Sequence, residues 1–436
     1  MTDASEPEDF VLEEAEEALV DGDRVVEAGS IRTVLANRNF RTMWLAMLGS
    51  GIGTWMQNVI LAAYVYSVTR SAWLVSLVGF FNLVPQLLFA TFGGAIADMF
   101  DRKKLIIWLS LEQMIASLAI AWIVRTTDFS RPALLAAVGA VGIGAALTGP
   151  VFLAVTPSLV PKKDLAGAIS LNSVSMNVSR VIGPAIGGVL YVFIGASWVF
   201  VVNAATYVFI MIGITWVQVP KFEKIHGESG LEKLLGGFRY VRRDPVVWRS
   251  VSTVFLFSMF CMPFVVVFPV LVSEHMGVDT KSTLYGLLYA TFGLGAVVGA
   301  LSIGTFFSGR NLTSLVRVSF IGFGISLAVF NFVSGPVPAF PVGFILGFCY
   351  FATVTSLATV FQSRLDHNIR GRVSAVWMMS FGGTVPVSGL IAGWVVTRTS
   401  VGAVVYFGAA FALFLAWFAD LRMPEDRTGI RKLLRR

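Results

Sequence analysis

Two cysteines and three histidines are all that 436 residues supply of thiol and imidazole metal ligands. Cys261 and Cys349 each sit inside an apolar run, far apart in the chain. Neither a disulfide framework nor a metal-ligand spacing results, and both read as small packing residues. His226, His275 and His367 are widely separated and are expected in loops. No His-Glu-x-x-His, no Gly-x-x-x-x-Gly-Lys-Ser/Thr and no nucleophile constellation occurs. Zinc-protease, nucleotide-driven and acyl-transfer chemistry are therefore not expected, and neither is a cofactor. Charge is scarce as well: Asp, Glu, Lys and Arg make up 14% of the chain, against about 25% in a soluble domain. The first residues are acidic where a cleavable signal would be basic.

What fills the chain instead is apolar. Hydrophobic residues make up 56% and the mean hydropathy is +0.76. Apolar runs of about 20 residues are the length of membrane-spanning helices. Twelve such runs follow Phe40, at 41–67, 73–97, 105–124, 133–155, 165–192, 198–217, 247–271, 282–306, 315–332, 340–361, 373–396 and 401–421. The fold class is thus an all-α membrane protein with twelve transmembrane helices. Start signals support the spacing. Asp244 precedes Pro245, Pro132 opens the fourth run, and Asp164 is placed to cap the fifth.

Charge between the runs sets orientation. Only Arg70, Arg125, Arg131, Lys281 and Arg398 fall in the odd-numbered connections, while the other bases, Arg180 apart, cluster in or beside the even-numbered ones and in the tails. By the positive-inside rule both termini are cytoplasmic and the protein is multi-pass in the cell membrane. The formal charge of +7 therefore reflects topology. Bases spread along one face with no aromatic-interleaved patch do not form a nucleic-acid surface.

The spans divide six and six. Residues 1–38 form an acidic cytoplasmic tail, expected to be disordered. Residues 39–218 hold the first six spans and 247–421 the second six, with a basic tail at 422–436. In the linker, 219–246, Leu231, Leu234, Leu235, Phe238 and Val241 recur at helical spacing opposite charged residues. That pattern is an amphipathic helix on the inner membrane surface. Lys162, Asp164, Pro184 and Gly187 recur at one constant offset as Arg364, Asp366, Pro386 and Gly389. Two pseudo-symmetric six-helix bundles follow from such a repeat.

The turn between the second and third runs reads Gly94-x-x-x-Asp98-x-x-Asp101-Arg102-Lys103-Lys104. Small residues let a neighbouring helix approach, and Asp98 and Arg102 can bridge helices across the turn. In the fifth run Ser175, Ser179, Gly183 and Gly187 recur every four residues, forming one small-residue face. Such a face suits a seam that rocks, and Pro184 permits a bend there.

These two stretches resemble motifs of the major facilitator superfamily. The first is similar to its loop motif, with Asp101 where the general pattern has glycine. The second, Arg180-x-x-Gly183-Pro184-x-x-Gly187-Gly188, is similar to the fifth-helix motif of its antiporters. Leu159 to Leu165 and Arg370-Gly371-Arg372-Val373 resemble the enterobactin-exporter and macrolide-efflux subfamily, where Asp101-Arg102 is usual. The resemblance implies a monomeric secondary transporter that exports amphipathic, drug-like or siderophore-like small molecules in exchange for protons. It implies that Gly94, Asp98, Asp101 and Arg102 latch one conformation. An uptake symporter and a transport-inactive sensor are the alternative readings.

Two ionisable residues fall inside spans. Glu112 lies ~12 Å beyond Lys104 and is the candidate coupling acid; Arg180 lies ~22 Å beyond Leu165, and a structural role or a substrate contact is open to it. Gln57, Asn58, Asn82, Gln86, Met259, Tyr350 and Trp377 are the candidate lining of a substrate cavity.

Overall fold

The computed structural model describes residues 31–126, 130–217, 230–307, 311–365 and 369–419. Among them there are helices and turns and no strand. In chain order the helices are α1 (Ile31–Ala36), α2 (Arg38–Thr69), α3 (Ala72–Met99), α4 (Arg102–Arg125), α5 (Arg131–Val155) and α6 (Leu165–Trp216). After the linker come α7 (Gly230–Arg243), α8 (Pro245–Phe260), α9 (Pro263–Val266), α10 (Phe268–Met276) and α11 (Thr283–Gly304). The chain finishes with α12 (Leu312–Phe332), α13 (Pro336–Gln362), α14 (Arg370–Phe381), α15 (Val385–Arg398) and α16 (Val401–Phe418).

Helices dominate because a backbone in hydrocarbon must satisfy its own polar groups. Ten stretches of the described residues are long and apolar enough to cross a bilayer. One of them, Gly167–Trp216, is 50 residues long. It folds back at Gly195, whose φ of 81° and ψ of 163° only glycine adopts readily. Helix α2, more polar because of Gln57 and Asn58, adds 32 residues. The arrangement is consistent with twelve crossings.

In the first half α2 packs on α6, α3 on α5, and α4 on both α5 and α6. In the second half α11 packs on α13, and α12 on α13 and α16. One tie recurs in both halves. Lys103 of α4 donates from Nζ to the carbonyls of Thr215 (2.7 Å) and Val217 (3.2 Å), at the end of α6. Arg317 of α12 donates from Nε to the carbonyl of Ala416 (3.1 Å), near the end of α16. In each bundle a base from the third span satisfies carbonyls that the sixth span leaves open.

Several local expectations are revised. The expected tail ends before α1, which packs Val34 into the core and donates from Thr33 to Asp164 at 3.0 Å. Asp164 therefore makes no side-chain cap on α6, whereas Asp244 caps α8 through the amides of Val246 and Val247. Asp101 caps α4, accepting from the Lys104 amide at 3.0 Å. His275, expected in a loop, lies in the last turn of α10. The seventh and eleventh spans are discontinuous. The seventh breaks at Cys261–Met262 and at Val267, next to Pro263 and Pro269. The eleventh breaks at Gly382–Thr384, just before Pro386. Ser258 donates to the Phe381 carbonyl beside the second break, so one span satisfies backbone that the other has released. Helix α6, by contrast, stays helical through Pro184. Linker helix α7 packs on α14, with Gly237 against Arg372 and Val241 buried.

The small-residue face of α6 does not lie between the bundles. Ser179 donates to the Leu48 carbonyl at 3.4 Å. A Cβ on Gly183 would come within 2.7 Å of the Ile52 carbonyl, and one on Gly187 within 2.8 Å of Met56. The face closes α6 onto α2 inside the first bundle, and this is tight packing rather than the expected rocking seam.

The bundles meet instead where α6 passes α11. A Cβ on Gly286 would collide with the Pro184 carbonyl and sit 2.7 Å from the Gly188 Cα. Gly286→Val should push the bundles apart at that end. Spin labels at Trp73 and Lys281 should then report a longer distance, by several ångströms, than in the parent protein.

Candidate functional site

Three sets of contacts close the seam toward the end that carries Arg70. The first is the Gly188–Gly286 pass, continued two turns along by Gly293, where a Cβ would lie 3.2 Å from the Arg180 carbonyl. The second joins α3 to α15, with Ser76 against Gly393 and, deeper, Leu87 against Gly383. The third joins α2 to α10: the Tyr66 hydroxyl donates to Glu274 at 2.9 Å. Arg70 donates to Ser273 at 3.4 Å, and its Cζ lies 5.6 Å from the Tyr66 ring centre. At the other end of the long helix, Ile169, Val174 and Met176 are 56%, 44% and 56% exposed.

Arg180 stands on the seam. Its Cζ lies 4.9 Å from the ring centre of Trp55 on α2 and 4.5 Å from that of Phe351 on α13. One ring belongs to each bundle, so the guanidinium bridges them. An arginine at mid-span costs roughly 2.5–3.5 kcal/mol to insert. Two desolvated cation–π contacts of about 1–2 kcal/mol each offset most of that. Tyr289 and Tyr350 are close enough to interact with it electrostatically. Nε and Nη1 are buried without a hydrogen-bond partner.

Glu112 lies elsewhere. It sits near the middle of α4 with one carboxylate oxygen against Gly144 of α5, and that Oε2 is buried without a donor. Beside it, Gln113 donates to Thr148 at 3.1 Å. Glu112 and Arg180 are thus held by different helices of the first bundle, and each has its own surroundings.

The expected cavity residues are dispersed. Gln57 is buried inside the first bundle, accepting from Asn203 at 2.8 Å. Asn203 also approaches Ser117 at 3.3 Å. Asn82 donates to Asn58 at 2.9 Å, tying α3 to α2, while Gln86 is exposed. Tyr350 is buried, its hydroxyl directed at the Met262 sulfur (3.4 Å) and its ring stacked with Phe257 and Phe292. Trp377 is buried and stacked on Phe361 at 4.5 Å. Met259 borders an apolar groove of about 430 Å³ where the break in the seventh span faces α15 and α16. The surroundings of Gly94 and the side chain of Asp98 lie outside the described residues. Among the described residues no cluster of His, Cys, Asp and Glu could hold a metal.

Some residues at the seam and in the polar network carry no motif. Asn203 and Trp55 look like ordinary span residues in sequence, and Glu274 looks like a loop acid. Only the polarity of Asn203 within an apolar run hints at a buried partner. Asn203→Leu should destabilise the protein by about 1–2 kcal/mol, because Gln57 is left buried and unpaired. Gln57→Leu combined with it should cost less than the sum of the two. The unfolding midpoint in mixed detergent reads both.

Known proteins resemble this one in sequence and in fold. Residues 30–429 match the family of transmembrane secretion effectors within the major facilitator superfamily. The enterobactin exporter EntS of Citrobacter koseri is 27% identical over 346 residues, 78% of this chain and 80% of its own length. EntS of Escherichia coli strain HS is 26% identical over 345 residues, with the same coverage. A crystal structure of a point mutant of the nucleoside transporter NupG superposes with a TM-score of 0.74 at 13% identity, over 88% of this chain and all of that one. An inward-facing bacterial homologue of the iron transporter ferroportin gives 0.70 at 16% identity, over 88% of this chain and 98% of its own. Because the family match runs from residue 30 to 429, nearly the whole chain, the protein belongs to the transmembrane secretion effector family of the major facilitator superfamily, a family of membrane transporters.

Proposed function

We propose that the chain exports amphipathic, siderophore-like small molecules across the cell membrane in exchange for protons, by alternating access. The observation that carries this reading is a seam closed toward one end. The bundles touch through the Gly188–Gly286 pass, the α3–α15 contact and the Tyr66–Glu274 bond. All three lie toward the end that carries Arg70, and parting them is what rocking of the bundles requires. The EntS relatives support export and a siderophore-like cargo. The distribution of basic residues supports an orientation with both termini inside. In that orientation the closed end faces out, and the end bearing Ile169 and Met176 opens inward. The family resemblance supports a monomer.

The domain plan has two bundles, at 39–218 and 247–421, joined by a linker whose helix rests on α14. Asp98 and Arg102 act as the latch of the opposite conformation. Asp101 contributes by capping α4, which fixes the backbone that presents Arg102. Arg180, Gly183, Pro184, Gly187 and Gly188 hold α6 against α2 on one side and α11 on the other.

Energy comes from the ion gradient. One charge moving through ~150 mV supplies ~3.5 kcal/mol, enough for roughly 300-fold accumulation. Glu112 is the acid assigned to the proton. It lies near mid-helix with an oxygen that no protein donor occupies, so proton uptake and release there change the charge of the α4–α5 contact. Inverted vesicles with an imposed pH gradient and a compound panel test the scheme. Glu112→Gln should abolish gradient-driven accumulation while gradient-free exchange of cargo persists. Asp98→Asn should slow both. Full gradient-driven transport by Glu112→Gln would remove the acid from the mechanism.

A further inference from the structure

The guanidinium of Arg180 is held by two rings and leaves donors unpaired. Its Cζ lies over the rings of Trp55 and Phe351, 4.9 and 4.5 Å from their centres. Rings satisfy the charge of a cation through their π faces, but they offer nothing in the guanidinium plane. Nε and Nη1 remain buried donors without an acceptor. Buried donors in proteins are nearly always paired, so two on one side chain mark a missing group. The residue as a whole is only partly buried, but these two atoms are themselves covered, so an acid reaches them as the bundles part. The nearby Tyr350 hydroxyl is already directed at the Met262 sulfur.

We infer that the open edge of Arg180 is the docking point for the acidic group of the cargo, with the cargo's apolar body lying along Trp55 and Phe351. This rests on the export reading above and narrows its substrate class to aromatic or apolar acids. The planar fork of arginine matches a carboxylate in two parallel hydrogen bonds, and a point charge does not. Because one ring comes from each bundle, the acid binds where both bundles meet. A neutral analogue of the same shape gains the apolar walls and loses the fork.

The full-length protein in detergent is tested by equilibrium dialysis with two probes of the same ring, 1-naphthoate and 1-naphthamide. The parent protein should prefer the acid. Arg180→Gln should weaken naphthoate binding roughly tenfold or more and leave naphthamide within about twofold. Arg180→Lys, which keeps charge without the fork, should fall between. Parent-level naphthoate binding by Arg180→Gln overturns the assignment. So does equal loss of both probes, which would make Arg180 a structural clasp, and so does a parent protein that prefers neither probe. The vesicle assay judges export separately: a parent protein that moves no compound there defeats the export reading, whatever the dialysis shows.

Discussion

Two glycines set how closely the halves of this protein can meet. Where α6 passes α11, Gly188 and Gly286 bring backbone against backbone, and there is no room for a side chain on Gly286. Lipid supplies no hydrophobic force between helices, so association depends on close van der Waals contact and on polar groups paired across the interface. The pass supplies the first. Two turns along the same helix, Arg180 supplies the second by reaching an aromatic ring in each half. The position of the arginine and the spacing of the bundles are therefore one arrangement, not two.

Within each half the constraint is different. There the polar side chains are sunk between helices and pair with one another: Gln57 with Asn203, Asn58 with Asn82, Gln113 with Thr148. These pairs fix which helix lies beside which. They also draw Gln57 away from the central space that its polarity in an apolar run suggests. Polar residues that hold a bundle together and polar residues that contact cargo have the same appearance in sequence. What separates them is whether a partner already exists, and Arg180 is a mid-span cation held by two rings with two donors unpaired.

Much of the architecture is legible from the chain. Apolar run length locates the spans, the amphipathic pattern locates α7, and Asp244-Pro245 locates the start of α8. Helical periodicity marks a face but not the neighbour that the face meets. The Ser175–Gly187 stripe suggests a moving seam, yet it packs against α2 of its own bundle. Proline is equally ambiguous. Pro184 leaves α6 helical, while its repeat counterpart Pro386 follows a break, because Gly382 and Gly383 precede it and Ser258 takes up a freed carbonyl. Motif likeness places Asp101 in a latch, and local geometry makes it a cap. The packing of the stripe and the fate of the two prolines are decided by tertiary neighbours, which a single sequence does not carry, whereas the cap is local.

Gly195 reverses the chain with no loop, and the segments on either side run on as helix from Leu165 to Trp216. The fifth and sixth crossings are consequently two arms joined at a single residue. One arm bears Arg180 and Gly188, and the other bears Asn203 and ends at the carbonyls gripped by Lys103. Because no loop separates the arms, any rotation about this one glycine changes the angle between the helix that meets the second bundle and the helix tied to Lys103.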